Sequence, residues 1–221
     1  MKTAVIFDLD GTLIDSAPDI HAAVARTLAE EGQPALTPAQ VSSFVGNGVP
    51  TLIDRVMAAR KEPANPARRT DLIARFMRHY EAASSDLTTV YPGVADALKA
   101  LQDKGHPMGL CTNKPLSAAR GILQAFGLDP FFRIVIGGDS LPFTKPHPAP
   151  LLAAIQGIGA GRAVFVGDSE VDAETALAAG IPLLLYTEGY RKSPVSNLPH
   201  HTAFADFADL PGLVAALSNG R

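Results

Sequence analysis

The chain has 221 residues, enough for one large domain with a substantial core, and 47% of them are hydrophobic, which excludes a disordered protein. The 19 Lys and Arg against 22 Asp and Glu give a net charge of −3, and no basic stripe with interleaved aromatic residues predicts a nucleic-acid partner. No apolar run is long enough for a membrane span or a signal peptide, so we expect no membrane partner. The single cysteine, Cys111, excludes an intramolecular disulfide, and these features together predict a soluble cytoplasmic enzyme.

Two carboxylates end the first apolar run of the chain. Residues 3–7 are rich in β-branched and aromatic side chains and predict a short buried strand, which Asp8 and Asp10 follow. Alternation along a strand places the two carboxylates on the same side, with Leu9 turned towards the core. At about 4 Å and an effective dielectric of about 20, their repulsion is roughly 4 kcal/mol. A cation bound between them, or one carboxyl held protonated for acid–base work, would explain this arrangement.

From residue 16 the spacing of apolar residues becomes that of helices. Four helices are predicted, around apolar residues at 20–28, 38–45, 50–57 and 72–80. The arginines of this stretch are predicted to form a solvated face rather than an anion site, and they are Arg68, Arg69, Arg75 and Arg78. A connection of this length inside an α/β fold is itself a small domain.

From residue 91 onward, predicted helices alternate with strands of continuous apolar residues. The predicted strands are 107–111, 134–136, 163–166 and 182–186, and the predicted helices are 94–101, 118–126, 149–158, 170–179 and 206–217. This alternation is typical of an α/β fold with a doubly wound parallel sheet that is covered by helices on both faces. We therefore predict an α/β core domain of residues 1–15 and 87–221, interrupted by an all-helical domain at 16–86, with hinges near 15–16 and 84–86.

Polar side chains follow the predicted strands of the core. Ligands of open parallel sheets bind beyond the carboxyl ends of the strands, so these residues are candidate site residues. They are Asp8 and Asp10 after the first strand, Thr112, Asn113 and Lys114 after the second, Lys145 in the loop beyond the third, and Asp168, Ser169 and Asp172 after the fourth. Phosphoryl transfer needs such a set, because it supplies a nucleophile, ligands for a cation and donors for the phosphoryl oxygens.

Several of these residues also have purely structural interpretations, which the sequence leaves open. Ser169 and Asp172 have the spacing of a capping box, so Asp172 could serve the start of a helix. Lys145 precedes a proline and could be a surface residue. His147 lies between two prolines, and we predict a structural loop position for it rather than a catalytic role.

In chain order, these motifs resemble those of a known superfamily. The four motifs of the haloacid dehalogenase-like superfamily are similar to Asp8-Leu9-Asp10-Gly11-Thr12-Leu13, Thr112-Asn113, Lys145-Pro146 and Gly167-Asp168-Ser169-Glu170-Val171-Asp172. The resemblance covers the whole chain, and the helical insert resembles the cap domain of that superfamily. Within that superfamily, the chain most resembles the phosphoglycolate phosphatases. The segments that carry this resemblance are Gly46-Asn47-Gly48, Gly137-Gly138-Asp139-Ser140 and Lys145-Pro146-His147-Pro148-Ala149-Pro150. The first of these segments also fits a plain turn between two helices, so a substrate contact at Asn47 stays one of two interpretations.

The resemblance implies a role for each matching residue. Asp8 would be the nucleophile that forms an aspartyl-phosphate, and Asp10 the acid and base for the leaving group and the water. Mg²⁺ would be held by Asp8, Asp168 and the backbone carbonyl of Asp10, which suits its preference for oxygen ligands. The remaining implied roles are phosphoryl contacts for Thr112, Asn113 and Lys145, substrate contacts for Gly11, Thr12 and Asn47, and support beside the metal or Lys145 for Asp172 and Ser169.

The second carboxylate separates the subclasses of this superfamily. A halide leaves without a proton but an alkoxide needs one, so Asp10 favours phosphate chemistry over dehalogenation. The expected substrate is a small phosphomonoester, with 2-phosphoglycolate as the first choice, and the expected assembly is a monomer or a homodimer. A phosphosugar mutase or a pyrophosphatase shares the same motifs. A signalling module with a phosphorylated aspartate is the alternative from a different class, and Asp10 and the helical insert argue against it.

Overall fold

The structure, a computed structural model, describes residues 2–63 and 65–219, so residues 1, 64, 220 and 221 of the predicted domains lie outside the described residues. Within the described ranges the strands are β1 (Ala4–Phe7), β2 (Ile14–Asp15), β3 (Thr89–Val90), β4 (Met108–Cys111), β5 (Phe132–Ile136), β6 (Ala163–Gly167), β7 (Leu183–Tyr186) and β8 (Thr202–Phe204). The helices are α1 (Ala17–Ala29), α2 (Pro38–Ser42), α3 (Gly48–Ala59), α4 (Pro66–Glu81), α5 (Val94–Asp103), α6 (Leu116–Ala125), α7 (Ala149–Ile158), α8 (Glu170–Ala179) and α9 (Leu210–Asn219).

Six strands form one parallel sheet in the order β5-β4-β1-β6-β7-β8. The buried strand β1 lies at its centre, where Phe7 pairs with Leu110 of β4 and Val166 of β6. The chain first builds the β4 and β5 side and then crosses to β6 on the other side of β1. Between β1 and β6 the strand order therefore reverses, and open sheets bind their ligands beyond the carboxyl ends of strands at such a point. The predicted doubly wound α/β sheet is confirmed.

Apolar side chains bury both faces of this sheet. Val5 and Phe7 belong to one core cluster, and Ala4 and Ile6 to the other, as the two-residue period of a strand requires. The first cluster continues into residues 16–86, hereafter the helical segment, where Phe76 of α4 is among its members. None of the helices described within residues 2–63 and 65–219 has the length and apolar character needed to cross a membrane.

A short second sheet lies where the chain leaves the α/β core for the helical segment and where it returns to the core. Ile14 pairs with Val90 and Asp15 with Thr89, antiparallel, so β2 and β3 run side by side. The returning strand β3 begins at Thr89, three residues after the hinge predicted at residues 84–86. Buried Asp19 of α1 accepts hydrogen bonds from the backbone of Leu87 and Thr88 just before β3. The domain boundaries proposed from the sequence stay a prediction.

Some predicted elements have shifted ends, for identifiable reasons. Helix α2 is capped by Thr37 but ends at Ser42, short of the predicted apolar residues at 44 and 45. Helix α3 begins at Gly48 rather than Pro50, because a proline is tolerated within the first turn of a helix, whose N–H groups have no intrahelical partner. Strand β8 was not predicted, since its three residues are too short for a periodic signal.

Candidate active site

Three carboxylates converge where the strand order of the sheet reverses. Asp8 follows β1, Asp168 follows β6, and Asp172 lies in the first turn of α8. All three are buried, and they offer oxygen atoms that lie within 4.8 Å of one another. Asp172 Oδ2 accepts hydrogen bonds from the backbone N–H groups of Asp168 and Ser169 at 3.2 Å and from Ser169 Oγ at 2.7 Å. The capping box predicted for Ser169 and Asp172 is confirmed, and it fixes Asp172 beside the other two carboxylates.

Lys145 lies against two of these carboxylates. Its Nζ is 2.6 Å from Asp172 Oδ1 and 2.9 Å from Asp8 Oδ1. The side chain of Asn113 fixes the lysine backbone, because Asn113 Oδ1 accepts from Lys145 N and Nδ2 donates to Lys145 O, each at 2.9 Å. Lys145 is 3% exposed, which excludes the surface interpretation. Burial alone would lower the pKa of Lys145, but Asp172 and Asp8 raise it above its ordinary value, so the side chain is a cation.

The three carboxylates carry more negative charge than Lys145 balances. Burial raises the pKa of Asp8 to about 7, with the Asp172 charge adding to the effect and Lys145 opposing it. Burial also holds the pKa of Asp168 well above its ordinary value, and the negative charges of Asp172 and Asp8 raise it further. Asp8 Oδ1 forms an ion pair with Lys145 Nζ at 2.9 Å, but the contact does not have the geometry of a hydrogen bond, and no other described residue donates to this oxygen. Three carboxylates and one ammonium leave a surplus of two negative charges, so the donor set fits a divalent cation that prefers oxygen.

The loop after β1 and the loop after β7 enclose Asp168. Thr12 Oγ1 donates to Asp168 Oδ1 at 2.8 Å, and the backbone N–H of Tyr190 donates to Asp168 Oδ2 at 2.6 Å. Gly11 has φ +90°, and a Cβ on it would lie 2.5 Å from Asp168 Oδ2, while a Cβ on Gly189 would lie 2.3 Å from that oxygen. Gly11 and Thr12 thus shape the surroundings of Asp168, and their predicted contacts with substrate stay predictions. Tyr190 and Gly189 were missed, because nothing local marks a loop far along the chain as a neighbour of Asp168.

The Tyr190 side chain joins this site to the start of the helical segment. Its hydroxyl donates to Asp15 Oδ1 at 2.6 Å and accepts from the backbone N–H groups of Ser16 at 2.8 Å and Ala17 at 3.0 Å. One residue therefore contacts Asp168 through its backbone and the first turn of α1 through its side chain.

Asp10 is held in a separate ion pair with Lys114. Lys114 Nζ lies 2.7 Å from Asp10 Oδ1, and Ser16 Oγ donates to the same oxygen. Burial alone would lower the pKa of Lys114, but Asp10 and Tyr80 raise it, so the side chain is a cation. The sequence placed Lys114 at a strand end without a role. Its position directly after Thr112 and Asn113 was the signal that could have found it.

A pocket opens between the sheet edge and the helical segment. On the core side it is lined by Asp8, Asp10, Thr112, Asn113, Lys114 and Pro115, and on the other side by Ile20, Val45, Gly46, Gly48, Val49, Leu52, Phe76 and Tyr80. Of the predicted phosphoryl contacts, Thr112 and Asn113 line the pocket beside Asp8, and Lys145 contacts Asp8 from outside this lining. The helical segment reaches the core here, since Asn113 Nδ2 donates to the carbonyl of Gly46 at 3.0 Å.

Two further predicted residues lie elsewhere. Asn47 is not among the described residues that line the pocket, and its Oδ1 accepts a hydrogen bond from Arg55 Nη2 at 2.8 Å. A substrate contact at Asn47 stays a prediction. His147 accepts a hydrogen bond from the backbone of Ala149 and its ring stacks on exposed Phe143, which agrees with the structural loop position predicted for it.

Several known proteins resemble this chain over nearly its whole length. A phosphoglycolate phosphatase of Cereibacter sphaeroides (strain ATCC 17029 / ATH 2.4.9) is 54% identical over 213 residues, which cover 96% of this chain and 98% of that protein. A phosphoglycolate phosphatase of Rhodobacter capsulatus is 44% identical over 218 residues, 97% of each chain. A crystal structure of a predicted phosphoglycolate phosphatase from Haemophilus somnus 129PT superimposes with a TM-score of 0.89 at 31% identity, covering 96% of this chain and 97% of that one. The family model described as haloacid dehalogenase-like hydrolase matches residues 2–180, and the chain belongs to this family.

Proposed function

We propose that the protein is a Mg²⁺-dependent phosphatase that hydrolyses 2-phosphoglycolate to glycolate and phosphate through an aspartyl-phosphate. The observation that carries the proposal is the cluster of Asp8, Asp168 and Asp172, in which Lys145 pairs with Asp8 and Asp172 and Asp8 lines a small pocket. The relatives that are 54% and 44% identical over nearly the whole chain support the choice of substrate. The free thiol of Cys111 supports a cytoplasmic location.

Asp8 is the proposed nucleophile, since it is the pocket-lining carboxylate of the cluster. Its carboxylate oxygen attacks phosphorus, and the bond between phosphorus and the glycolate oxygen breaks. Asp8, Asp168 and the Asp10 carbonyl would hold Mg²⁺, which supplies positive charge against the repulsion between a carboxylate and a phosphate. Lys145 adds charge from its ion pair with Asp8, while Thr112 and Asn113 bind phosphoryl oxygens from the adjacent strand end.

Asp10 is the proposed acid and base. It gives a proton to the departing glycolate oxygen in the first step and takes one from water in the second. That water attacks phosphorus, the bond between phosphorus and the Asp8 oxygen breaks, and phosphate leaves. Ser16 and Lys114 hold the Asp10 side chain at the pocket, so the proton donor is fixed before the substrate binds.

The helical segment is the proposed cap domain of this enzyme, with boundaries at residues 16 and 86. It contributes mainly apolar side chains to the pocket, so it excludes water from the first step. Exclusion matters because free water competes with Asp8 for the phosphoryl group. The pair of strands β2 and β3 forms the proposed connection about which it moves.

A phosphate-release screen tests the function. With Mg²⁺, we expect the highest kcat/KM for 2-phosphoglycolate among short phosphoesters, sugar phosphates and pyrophosphate, and no isomerised sugar phosphate. EDTA should abolish turnover, and Mg²⁺ added in excess should restore it. Preference for pyrophosphate, or isomerisation of a sugar phosphate, would replace the phosphatase with one of the related activities. A stable aspartyl-phosphate without released phosphate would favour the signalling module.

A further inference from the structure

Lys114 holds Asp10 in the proposed chemistry, and its position in the pocket lets it do more than that. It is the only cationic side chain among the described residues that line the pocket, and its side chain is 4% exposed. Its Nζ lies 2.7 Å from Asp10 Oδ1 and 4.8 Å from the centroid of the Tyr80 ring. Lys145 lies against both Asp8 and Asp172, whereas Lys114 has one carboxylate partner. A lysine has three N–H donors, so Lys114 can bind a second anion that enters the pocket.

Tyr80 of α4 supplies a second donor at the same place. The residue is 3% exposed, its ring stacks on Phe76 at 5.5 Å between centroids, and both rings line the pocket. Its hydroxyl has no hydrogen-bond partner within the described part of the chain. Burial raises the pKa of Tyr80, so the hydroxyl keeps its proton and acts as a donor. A buried hydroxyl without a partner costs free energy, which an acceptor on a ligand would recover.

The length of the substrate relates these donors to the reaction. The leaving oxygen must lie within hydrogen-bond distance of Asp10, because Asp10 protonates it. In 2-phosphoglycolate the carboxylate carbon is only two bonds from that oxygen. Lys114 is in direct contact with Asp10, so a substrate placed for proton transfer carries its carboxylate towards Lys114 and Tyr80.

We propose that Lys114 and Tyr80 form the subsite for the substrate carboxylate, and thereby select phosphorylated acids over neutral phosphate esters. This inference rests on the proposed function. The subsite joins a residue of the core to one of the helical segment, so the carboxylate also ties the two parts of the pocket together. An ester that lacks the carboxylate leaves the Tyr80 hydroxyl without an acceptor and leaves Lys114 with Asp10 as its one carboxylate partner.

The test compares kcat/KM for 2-phosphoglycolate and for ethyl phosphate, which lacks the carboxylate. We expect the wild type to prefer 2-phosphoglycolate, and Lys114→Met to reduce that ratio by about 10- to 100-fold. Tyr80→Phe should reduce the ratio by about 3- to 10-fold, since it removes one neutral donor. Lys99→Met is the matched control, because Lys99 is an exposed lysine paired with Asp103, and its ratio should stay that of the wild type.

A ratio is the readout because Lys114→Met also removes the partner of Asp10. That loss lowers turnover of both substrates and cancels in the ratio. An unchanged ratio in Lys114→Met with a wild-type Tm overturns the subsite and leaves Lys114 as a partner of Asp10 alone. If Lys114→Met does not fold, an unchanged ratio in Tyr80→Phe overturns it instead. The proposed function fails differently, through a wild type that releases no phosphate from 2-phosphoglycolate, and the subsite then fails with it.

Discussion

The sheet edge and the helical segment face each other across the pocket but contribute in opposite ways. The sheet edge presents buried charges, and some of them are held by fixed donors, as Asp168 is by Thr12 and the backbone of Tyr190. The helical segment presents mainly apolar side chains to the pocket, and arginines of α4 pair with Glu30 and Glu31, which directly follow α1. The two sides of the pocket therefore differ in chemistry, with the charged groups at the strand ends and most of the apolar groups on the helical segment.

Asp8→Asn gives the largest expected effect. An amide is a poor nucleophile and cannot form the aspartyl-phosphate, so phosphate release from 2-phosphoglycolate should fall by about 10⁴-fold or more. The far-ultraviolet circular dichroism should remain that of the wild type. A variant that keeps more than a tenth of the wild-type kcat would move the nucleophile elsewhere on the sheet edge.

Asp10→Asn should show an effect that depends on the leaving group. With 2-phosphoglycolate we expect kcat to fall by about 10²- to 10⁴-fold, because the alkoxide then leaves without a proton. With p-nitrophenyl phosphate, whose leaving group needs no proton, the loss in the phosphorylation step, measured in single-turnover experiments, should be smaller. Equal losses on the two substrates would contradict the role of Asp10 as the acid.

The raised pKa of Asp8 predicts a pH effect on stability without metal. In the unfolded chain an aspartate has a pKa of about 3.9, while burial raises that of folded Asp8 to about 7, so the folded state favours the protonated form. Between these values rising pH should lower the free energy of unfolding, by up to about 4 kcal/mol. The Tm of EDTA-treated wild type should therefore fall relative to that of Asp8→Asn from pH 4 to pH 7. Parallel Tm curves would exclude the effect.

Tyr190→Phe should weaken the junction of the two regions without stopping the reaction. It removes the hydroxyl that forms hydrogen bonds with Asp15, Ser16 and Ala17. We therefore expect the free energy of unfolding, measured in urea, to fall by about 1–3 kcal/mol. The backbone contact to Asp168 remains, and kcat should change by less than about threefold. A loss of activity as large as that of Asp10→Asn would mean that the hydroxyl takes part in catalysis.

The outer ion pairs of the helical segment should give the smallest effect. Arg78 is 62% exposed and pairs with Glu30, so Arg78→Ala should change the Tm by less than about 2 °C. Arg68→Ala should cost more, because Arg68 is less exposed and pairs with Glu31 and Glu62. Both differences in Tm should shrink in 1 M NaCl, because salt at that concentration screens charges beyond about 3 Å. An effect of Arg78→Ala on selectivity would contradict the separation of outer charges from the pocket.

The sequence was sufficient to predict which acidic residues lie at the sheet edge, because the order of parallel strands largely determines where the residues after each strand lie. Once strands are parallel, their carboxyl ends lie at the same edge, so Asp8 and Asp168 could be placed there from the strand pattern, whereas the role of Lys145 came from the resemblance to the superfamily. Apolar runs are local signals, which is why α7 and α8 were predicted with their observed ends. The three-residue edge strand β8 carries too few residues to show a period.

The pocket wall was harder to predict because its contacts are distant in sequence and chemically ordinary. Tyr80 has the spacing of an apolar helix face, and only the structure reveals that its hydroxyl lacks a partner among the residues described. The position of Lys114 after Thr112 and Asn113 marks it as a candidate, but its partner, Asp10, lies 104 positions away. Tyr190 contacts residues 174 positions earlier, and no local pattern encodes such a pair.

The adjacent strands β2 and β3 have a consequence for engineering this enzyme. Because Ile14 and Val90 are paired neighbours, the two ends of the intervening chain are no farther apart than the two arms of a hairpin. A two-residue turn such as Asn-Gly could therefore bridge them in place of the whole insert. We expect the parallel sheet and its four acidic side chains, Asp8, Asp10, Asp168 and Asp172, to remain in place after such an exchange.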